Sequence, residues 1–349
     1  MALNKIIWSS VKADLSAPGG LSHIPIIKLI CNKQQNKFGA SEMNQLKICT
    51  FKGLQNLSLY VARQQGFFNT QGLDIAITYT AGSLPQLAGL AREEYQLIQT
   101  APDNVINVNN NPSVFGLNPD TAPHITMLLG GSVGPLSVYA QTGITTFDHL
   151  RGAVLGVDNP TSGFALVLRD ILARNGLLLE RDYTFTIAGG TSNRLDALES
   201  GSVAATILYA PFDVQATQEG FIRLAVSTDY YPAYASLATA GVQSWIEQHT
   251  DQVTSYISAY LQALRWIYDP AHALDVQAIM QNEPSLGLDA SIASYTYTAF
   301  VSPKTGFGIN AMLDDAGLQQ VIDLRATYTS SPVIDRDLAH YRDLRWYPW

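Results

Sequence analysis

The 349-residue chain is 47% hydrophobic and 14% charged, with 29 acidic against 21 basic residues and a net charge of −8. Such a chain can bury a large core over two or three domain-sized units, and its acidic balance excludes an electrostatic footprint for nucleic acid or an anionic membrane surface. Its two cysteines, Cys31 and Cys49, lie outside any CxxC or histidine-paired spacing, which excludes a disulfide scaffold and a zinc site.

Residues 1–45 carry Lys5, Lys12, Lys28, Lys33 and Lys37, and their best apolar run, Ile24 to Cys31, is interrupted by Pro25 and Lys28. That is a poor signal-peptide core, so the segment reads as an unfolded leader or as sequence upstream of a start at Met43. The first strand is LKICTF, followed by YVARQQGFF, whose apolar positions have helical spacing and whose Gly66 sits where a helix stops. DIAITYT reads as a strand and SLPQLAGLA as a helix opened by a hydroxyl residue beside glycine.

The same order then recurs. At an offset of 108, DIAITYTAGSLPQLAGL falls on DYTFTIAGGTSNRLDAL without a gap, and LKICTFKG falls on VLGVDNPT. One further inserted residue brings TAPDNV, at Thr100 to Val105, onto YAPFDV, at Tyr209 to Val214. A two-residue adjustment brings Gly66 onto Gly176 at the end of ALVLRDILARNGL. Such self-similarity decides architecture. Two copies of strand, helix, strand, helix, strand imply α/β lobes with largely parallel sheets covered on both faces, and ligand loops at the carboxyl ends of the strands. If the lobes face each other, Phe51–Leu57, Ala81–Ser83 and TAPDNV line one side of a cleft, and Asn159–Gly163, Gly189–Ser192 and YAPFDV the other.

Beyond the second copy, SWIEQHTDQVTSYISAYLQALRWIYD has Ile257, Leu261, Leu264 and Ile267 at spacings of three and four, the pattern of an amphipathic helix. With AMLDDAGLQQVIDLRATY and the tail YRDLRWYPW, this helical third is expected to fold back on the first lobe. The chain then crosses between lobes twice, near Gly130–Pro135 and Ser227–Ala235, giving residues 46–133 with 230–349 as lobe 1 and 134–229 as lobe 2.

Four segments, SLYVARQQGFFNTQGLDIAITY, QLAGLAREEYQLIQTAPDNVI, FDHLRGAVLGVDNPTSG and TDQVTSYISAYLQALRWIYD, resemble in order the type II solute-binding proteins of ABC importers, in the branch serving nitrate, sulfonates, taurine and thiamine pyrimidines. The resemblance covers about residues 46–345. It implies a type II periplasmic-binding-protein fold, a monomeric clamp closing on a small polar or anionic solute (sulfonate, carboxylate or pyrimidine-like), a membrane permease and ATPase as partners, no cofactor, and a periplasmic location if the chain is exported. The weak leader leaves a cytoplasmic protein open.

Each candidate ligand contact has a structural reading beside it. Ser83 and Thr191 open equivalent helices, where free N–H groups and the helix dipole hold an anion, or serve as N-caps worth about 1 kcal/mol. Asp103 and Asp213 are hydrogen-bond acceptors for a ligand, or turn and cap residues. Tyr209 and Phe212 stack on a planar solute, or pack. Gln55, Asn56, Thr161 and Ser162 offer neutral hydrogen bonds, or turn chemistry. Lys52 is the one cation in the first-lobe loops and neutralises an anion. Arg194, one turn into a helix, reads more naturally as a solvated surface charge.

The alternative is a cytoplasmic enzyme on the same fold, akin to thiamine-pyrimidine synthases or to decarboxylases and desulfinases. Those synthases use a histidine, a lysine and a cysteine cluster. Here the aligned positions are Asn56 and Arg63, and no cysteine cluster exists. None of the six histidines falls in the cleft loops, and there is neither a Walker A loop nor a GxGxxG opening a helix.

Overall fold

The computed structural model describes residues 44–303, 306–330 and 334–347; the leader expected over residues 1–45 lies, but for its last two residues, outside them. Two five-stranded sheets are present. The first runs β2 (Leu73–Tyr79), β1 (Asn44–Thr50), β3 (Leu97–Thr100), β10 (Leu237–Val242), β4 (Ile125–Gly131). The second runs β7 (Tyr183–Ile187), β6 (Ala153–Val157), β8 (Ala205–Leu208), β5 (Ser137–Ala140), β9 (Ile222–Val226). β1 is parallel to β2 and β3, as β6 is to β7 and β8, so both copies of the repeat have one topology. In each sheet the fourth strand, β10 or β5, is antiparallel to both its neighbours. β3 and β8 are wholly buried four-residue strands, as interior strands covered on both faces should be.

Helix α1 (Leu57–Gln64) follows β1 and stops at Gly66, while α5 (Gly163–Arg174) follows β6 and stops at Gly176. Both glycines have positive φ, 72° and 81°, the left-handed conformation that ends helices and that other residues adopt only with strain. A short helix α2 (Phe67–Thr70) precedes β2. α3 (Ser83–Ala91) and α4 (Pro102–Asn110) flank β3, as α6 (Thr191–Glu199) and α7 (Phe212–Gln218) flank β8. The segment expected as one amphipathic helix is two, α8 (Gln243–Gln248) and α9 (Thr250–Tyr268), because the backbone leaves the helical region at His249. α9 and α10 (Ala273–Asn282) pack against α1, and α11 (Ala290–Phe300) packs against α10.

The last helix, α12 (Asp315–Tyr328), does more than cover the first sheet's helices: it touches α4 on one side and α5 on the other. Arg169 of α5 donates to the Tyr328 carbonyl at 2.9 Å, and the Tyr328 hydroxyl donates to Asp170 at 2.7 Å. Asp170 also accepts from Tyr231 at 2.5 Å, beside the second crossing. The two crossings, β4 to β5 and β9 to β10, are tied together. The Val133 amide donates to the Ser236 hydroxyl at 2.9 Å, and Leu136 and Ser227 exchange bonds of 3.0 and 2.7 Å. A pair of stitched crossings fixes where the backbone bends when two sheets change angle.

Candidate functional site

Loops from both copies of the repeat, together with the crossings, enclose a cavity of about 50 Å³. The first copy contributes Phe51 and Gln55 from the loop after β1, and Thr100, Ala101 and Asn104 from TAPDNV. In that loop Gly53 has φ 148°, a conformation that favours glycine, and a Cβ there would crowd the Gln55 amide, so glycine leaves room for Gln55 to fold back. Gln55 then donates to the Phe51 carbonyl at 2.9 Å and meets the Tyr209 hydroxyl across the cleft at 3.5 Å. Asn56 is fully buried, between the Thr50 hydroxyl at 2.7 Å and the Phe51 carbonyl at 2.7 Å. It shapes the loop and does not line the cavity. Lys52 is exposed and points no charge into it.

The second copy contributes Asp158, Ser162, Phe164, Thr191, Arg194 and Tyr209. Ser162 caps α5, accepting from the Ala165 amide at 3.3 Å and donating to Asp158 at 2.5 Å. The expected surface charge, Arg194, is instead 2% exposed. It donates to the Ile207 carbonyl at 3.1 Å, the Gly189 carbonyl at 3.3 Å and the Thr191 hydroxyl at 3.0 Å, and stands 3.6 Å from Asp158. The α6 turn that carries it faces inward, and three fixed acceptors hold the fork at the cavity wall. Burial lowers the guanidinium's affinity for its proton and Asp158 opposes that shift; the group stays charged. Tyr209, 4% exposed, is held edge-on by Phe164 and Phe212. Burial raises its hydroxyl above the ordinary tyrosine range, against the pull of Thr191 and Arg194, so it remains a neutral donor.

Three helix N-termini converge here: α4 through Ala101 and Asn104, α5 through Gly163 and Phe164, α6 through Gly190 and Thr191. Each start leaves backbone N–H groups without intrahelical partners and a positive dipole end. Ser83 and Thr191 are not N-caps, since Gly82 and Gly190 hold that position and no side chain caps either helix. Ser83 is buried but outside the cavity lining, whereas Thr191 lies in it. Phe212 packs behind Tyr209 and does not reach the cavity. Thr161 is exposed and outside the cavity lining: its amide and hydroxyl donate to Asn159, each at 2.9 Å, and its carbonyl accepts from Arg325 at 2.7 Å.

Asp103 is taken up elsewhere. Arg325 of α12 donates to both its oxygens at 2.7 Å, each partner 1% exposed. Because Arg325 also holds the Thr161 carbonyl, one guanidinium joins a loop from each copy of the repeat. Beside it the copies nearly touch: a Cβ on Gly163 would lie 2.6 Å from the Asp103 Cβ. Gly163→Ala is therefore expected to wedge this contact open and to lower stability by about 1–3 kcal/mol, the range for overpacking a tight contact. Urea unfolding of the variant checks this, and unchanged stability would contradict it.

A second cavity of about 140 Å³ shares Gln55 and Val133 with the first. Asp213 lines it, with Oδ1 buried and without a hydrogen-bond partner among the described residues. Burial pushes this carboxyl from its ordinary 3.8 up to about 6, against the Val214 amide and the Arg223 charge. A folded-state value above the unfolded one means that the stabilising contribution is full at acid pH and is lost as pH rises through about 6. Asp213→Asn should remove a fall in stability of up to about 3 kcal/mol between about pH 4 and pH 7, read by urea unfolding of both proteins across that range. Among the described residues no group of three or more His, Cys, Asp or Glu is placed to hold a metal, and no helix is long and apolar enough to cross a membrane.

Residues 139–281 match the model of the NMT1-like family, and no curated relative matches the chain in sequence. Among solved structures, the chain is similar to the periplasmic nitrate-binding protein NrtA from Synechocystis PCC 6803, with TM-score 0.74, 10% identity, and coverage of 87% of this chain and 87% of that one. It is similar also to the alkanesulfonate-binding protein SsuA from Xanthomonas axonopodis pv. citri bound to MOPS, with TM-score 0.69, 16% identity, and coverage of 87% and 100%. A protein from Bordetella bronchiseptica matches with TM-score 0.71, 18% identity, and coverage of 87% and 96%. The chain thus has the two-lobed periplasmic-binding-protein fold, with an NMT1-like segment running from its second sheet into the C-terminal helices.

Proposed function

We propose that the protein is the solute-binding component of an ABC importer, closing its two lobes on a small organic anion and presenting it to a permease outside the cytoplasm. The observation that carries this reading is the buried Arg194 guanidinium at a cavity where three helix N-termini converge. Asp158, 3.6 Å away, balances the guanidinium. The N–H groups of α5 and α6, with the Arg194 N–H bonds left over from Ile207, Gly189 and Thr191, then supply donors for a sulfonate or carboxylate. Gln55, Ser162, Thr191 and Tyr209 complete the polar wall, and Phe51 and Phe164 frame the apolar part of the solute. The lobes are read as residues 46–133 with 230–349 and residues 134–229, meeting at the stitched crossings. Nitrate and alkanesulfonate binding by the similar structures supports an anionic ligand.

An enzyme would need a nucleophile or a base facing the cavity. The cavity wall offers no histidine, cysteine or lysine to activate the Ser162 and Thr191 hydroxyls, and Asp158 is engaged by Ser162 and Arg194. A thermal-shift series tests the reading, using nitrate, sulfate, short alkanesulfonates, short carboxylates and an aminopyrimidine. A solute at a hundred times its dissociation constant stabilises the fold by about 2.7 kcal/mol. Stabilisation by a sulfonate or carboxylate and not by the aminopyrimidine is the expected result; stabilisation by the aminopyrimidine alone would overturn the anionic assignment.

A further inference from the structure

The second cavity is larger than the one at Arg194, about 140 against 50 Å³, and the two are neighbours. Gln55 and Val133 line both. The YAPFDV phrase straddles them: Tyr209 faces the first cavity, while Ala210 and Asp213, one turn further on, face the second. In the other copy Asn104, which aligns with Asp213, lines the first cavity and donates to the Thr100 hydroxyl at 2.8 Å. The repeat has therefore diverged at this position into a neutral amide on one side and an acid on the other.

The remaining wall is mainly apolar. Phe300 and Phe307, stacked at 4.8 Å between ring centroids, close one side, and Tyr295 stands at the rim. Two charged groups line it. Arg223 is exposed, so its charge is solvated. Asp213 keeps a carboxylate oxygen buried with nothing among the described residues donating to it. A buried acceptor without a donor is unfavourable, and a donor supplied by a ligand recovers that free energy.

We propose that the second cavity is an annex of the solute site, taking the amine-bearing end of a solute whose anionic end lies at Arg194. This rests on the anion-binding reading above and narrows it to elongated solutes with an acid at one end, an amine at the other and an apolar or aromatic spacer passing Gln55. The ammonium donates to Asp213 Oδ1, the spacer lies against Phe300 and Phe307, and a bare inorganic anion leaves the annex empty.

The test is titration calorimetry at neutral pH with three probes: methanesulfonate, para-toluenesulfonate and para-(aminomethyl)benzenesulfonate. The aminomethyl probe should bind roughly tenfold or more tighter than its methyl counterpart, the range of a hydrogen bond to a charged group. Asp213→Asn should bring the two aryl probes to within about twofold of each other and leave methanesulfonate unchanged. Ala299→Phe, which fills the annex from α11, should weaken both aryl probes roughly tenfold and again spare methanesulfonate; it keeps the test decisive if the Asp213 variant folds poorly. Equal affinity of the two aryl probes, a preference that survives Asp213→Asn, or binding of methanesulfonate alone would each overturn the annex while leaving the anion site intact. Binding of none of the three would overturn the anion site, and the annex with it.

Discussion

Arg325→Met is expected to destabilise the protein by about 3–5 kcal/mol, because it strands a buried carboxylate. Asp103 is 1% exposed, and both its oxygens accept from this one guanidinium. A methionine fills comparable volume, so the loss is electrostatic and not a cavity. Asp103→Asn in the same background should recover part of it, since the neutral amide no longer demands a counter-charge. Arg325 also holds the Thr161 carbonyl at 2.7 Å, so the single variant should in addition loosen the contact between Asp103 and Gly163 and lower solute affinity. Urea unfolding of the parent, both single variants and the double variant measures the coupling. A coupling below about 0.5 kcal/mol, the size expected of independent sites, would show that the pair is not the buried bridge described.

Arg194→Met is expected to abolish anion binding, at a cost of about 2–5 kcal/mol or more in affinity, the range for truncating one partner of a buried charged contact. The guanidinium has three roles at once: it fixes the loop at Gly189, orders the Thr191 hydroxyl, and balances Asp158. Its removal leaves Asp158 facing the cavity with Ser162 as its one side-chain donor among the described residues, which turns an anion-accepting wall into a repelling one. Adding Asp158→Asn to the Arg194→Met variant should restore folding stability while binding stays lost, so the two roles separate. Circular dichroism melts read the first, and titration with the best anion from the thermal-shift series reads the second. Retention of anion affinity by Arg194→Met would remove the basis for the proposed site.

The architecture was legible because it is written twice. Gly66 and Gly176, the paired strands and the two AP phrases locate equivalent elements without any partner information, and each sheet shows the resulting strand order. The break at His249 was not legible, because Ile246 and Val253 continue the apolar pattern across it and both are buried. The bridging position of α12 depends on Arg325 meeting Asp103 222 positions away, a pairing that no local spacing encodes.

The site was less readable for a related reason. Sequence places Lys52 in the loop after β1 and Arg194 one turn into α6, but the sign of burial is decided by which way each turn faces. Lys52 points to solvent, while Arg194 lies on the inner side of α6, whose apolar Leu195 and Leu198 pack on the second sheet. The available signal was spacing: Arg194 lies four residues before Leu198, on one helical face with it, and that face is buried. Asp213 was legible as a strand-end acid and not as a buried one, since the apolar wall around it comes from α11 and the first crossing.

Titration calorimetry of the parent protein with short alkanesulfonates and carboxylates tests the central claim most directly. Two lobes closing on one anion at Arg194 predict saturable binding at one site per chain, with a negative heat-capacity change from the apolar surface that closure buries. No saturable binding of any anion, or binding that Arg194→Met leaves unchanged, would contradict it.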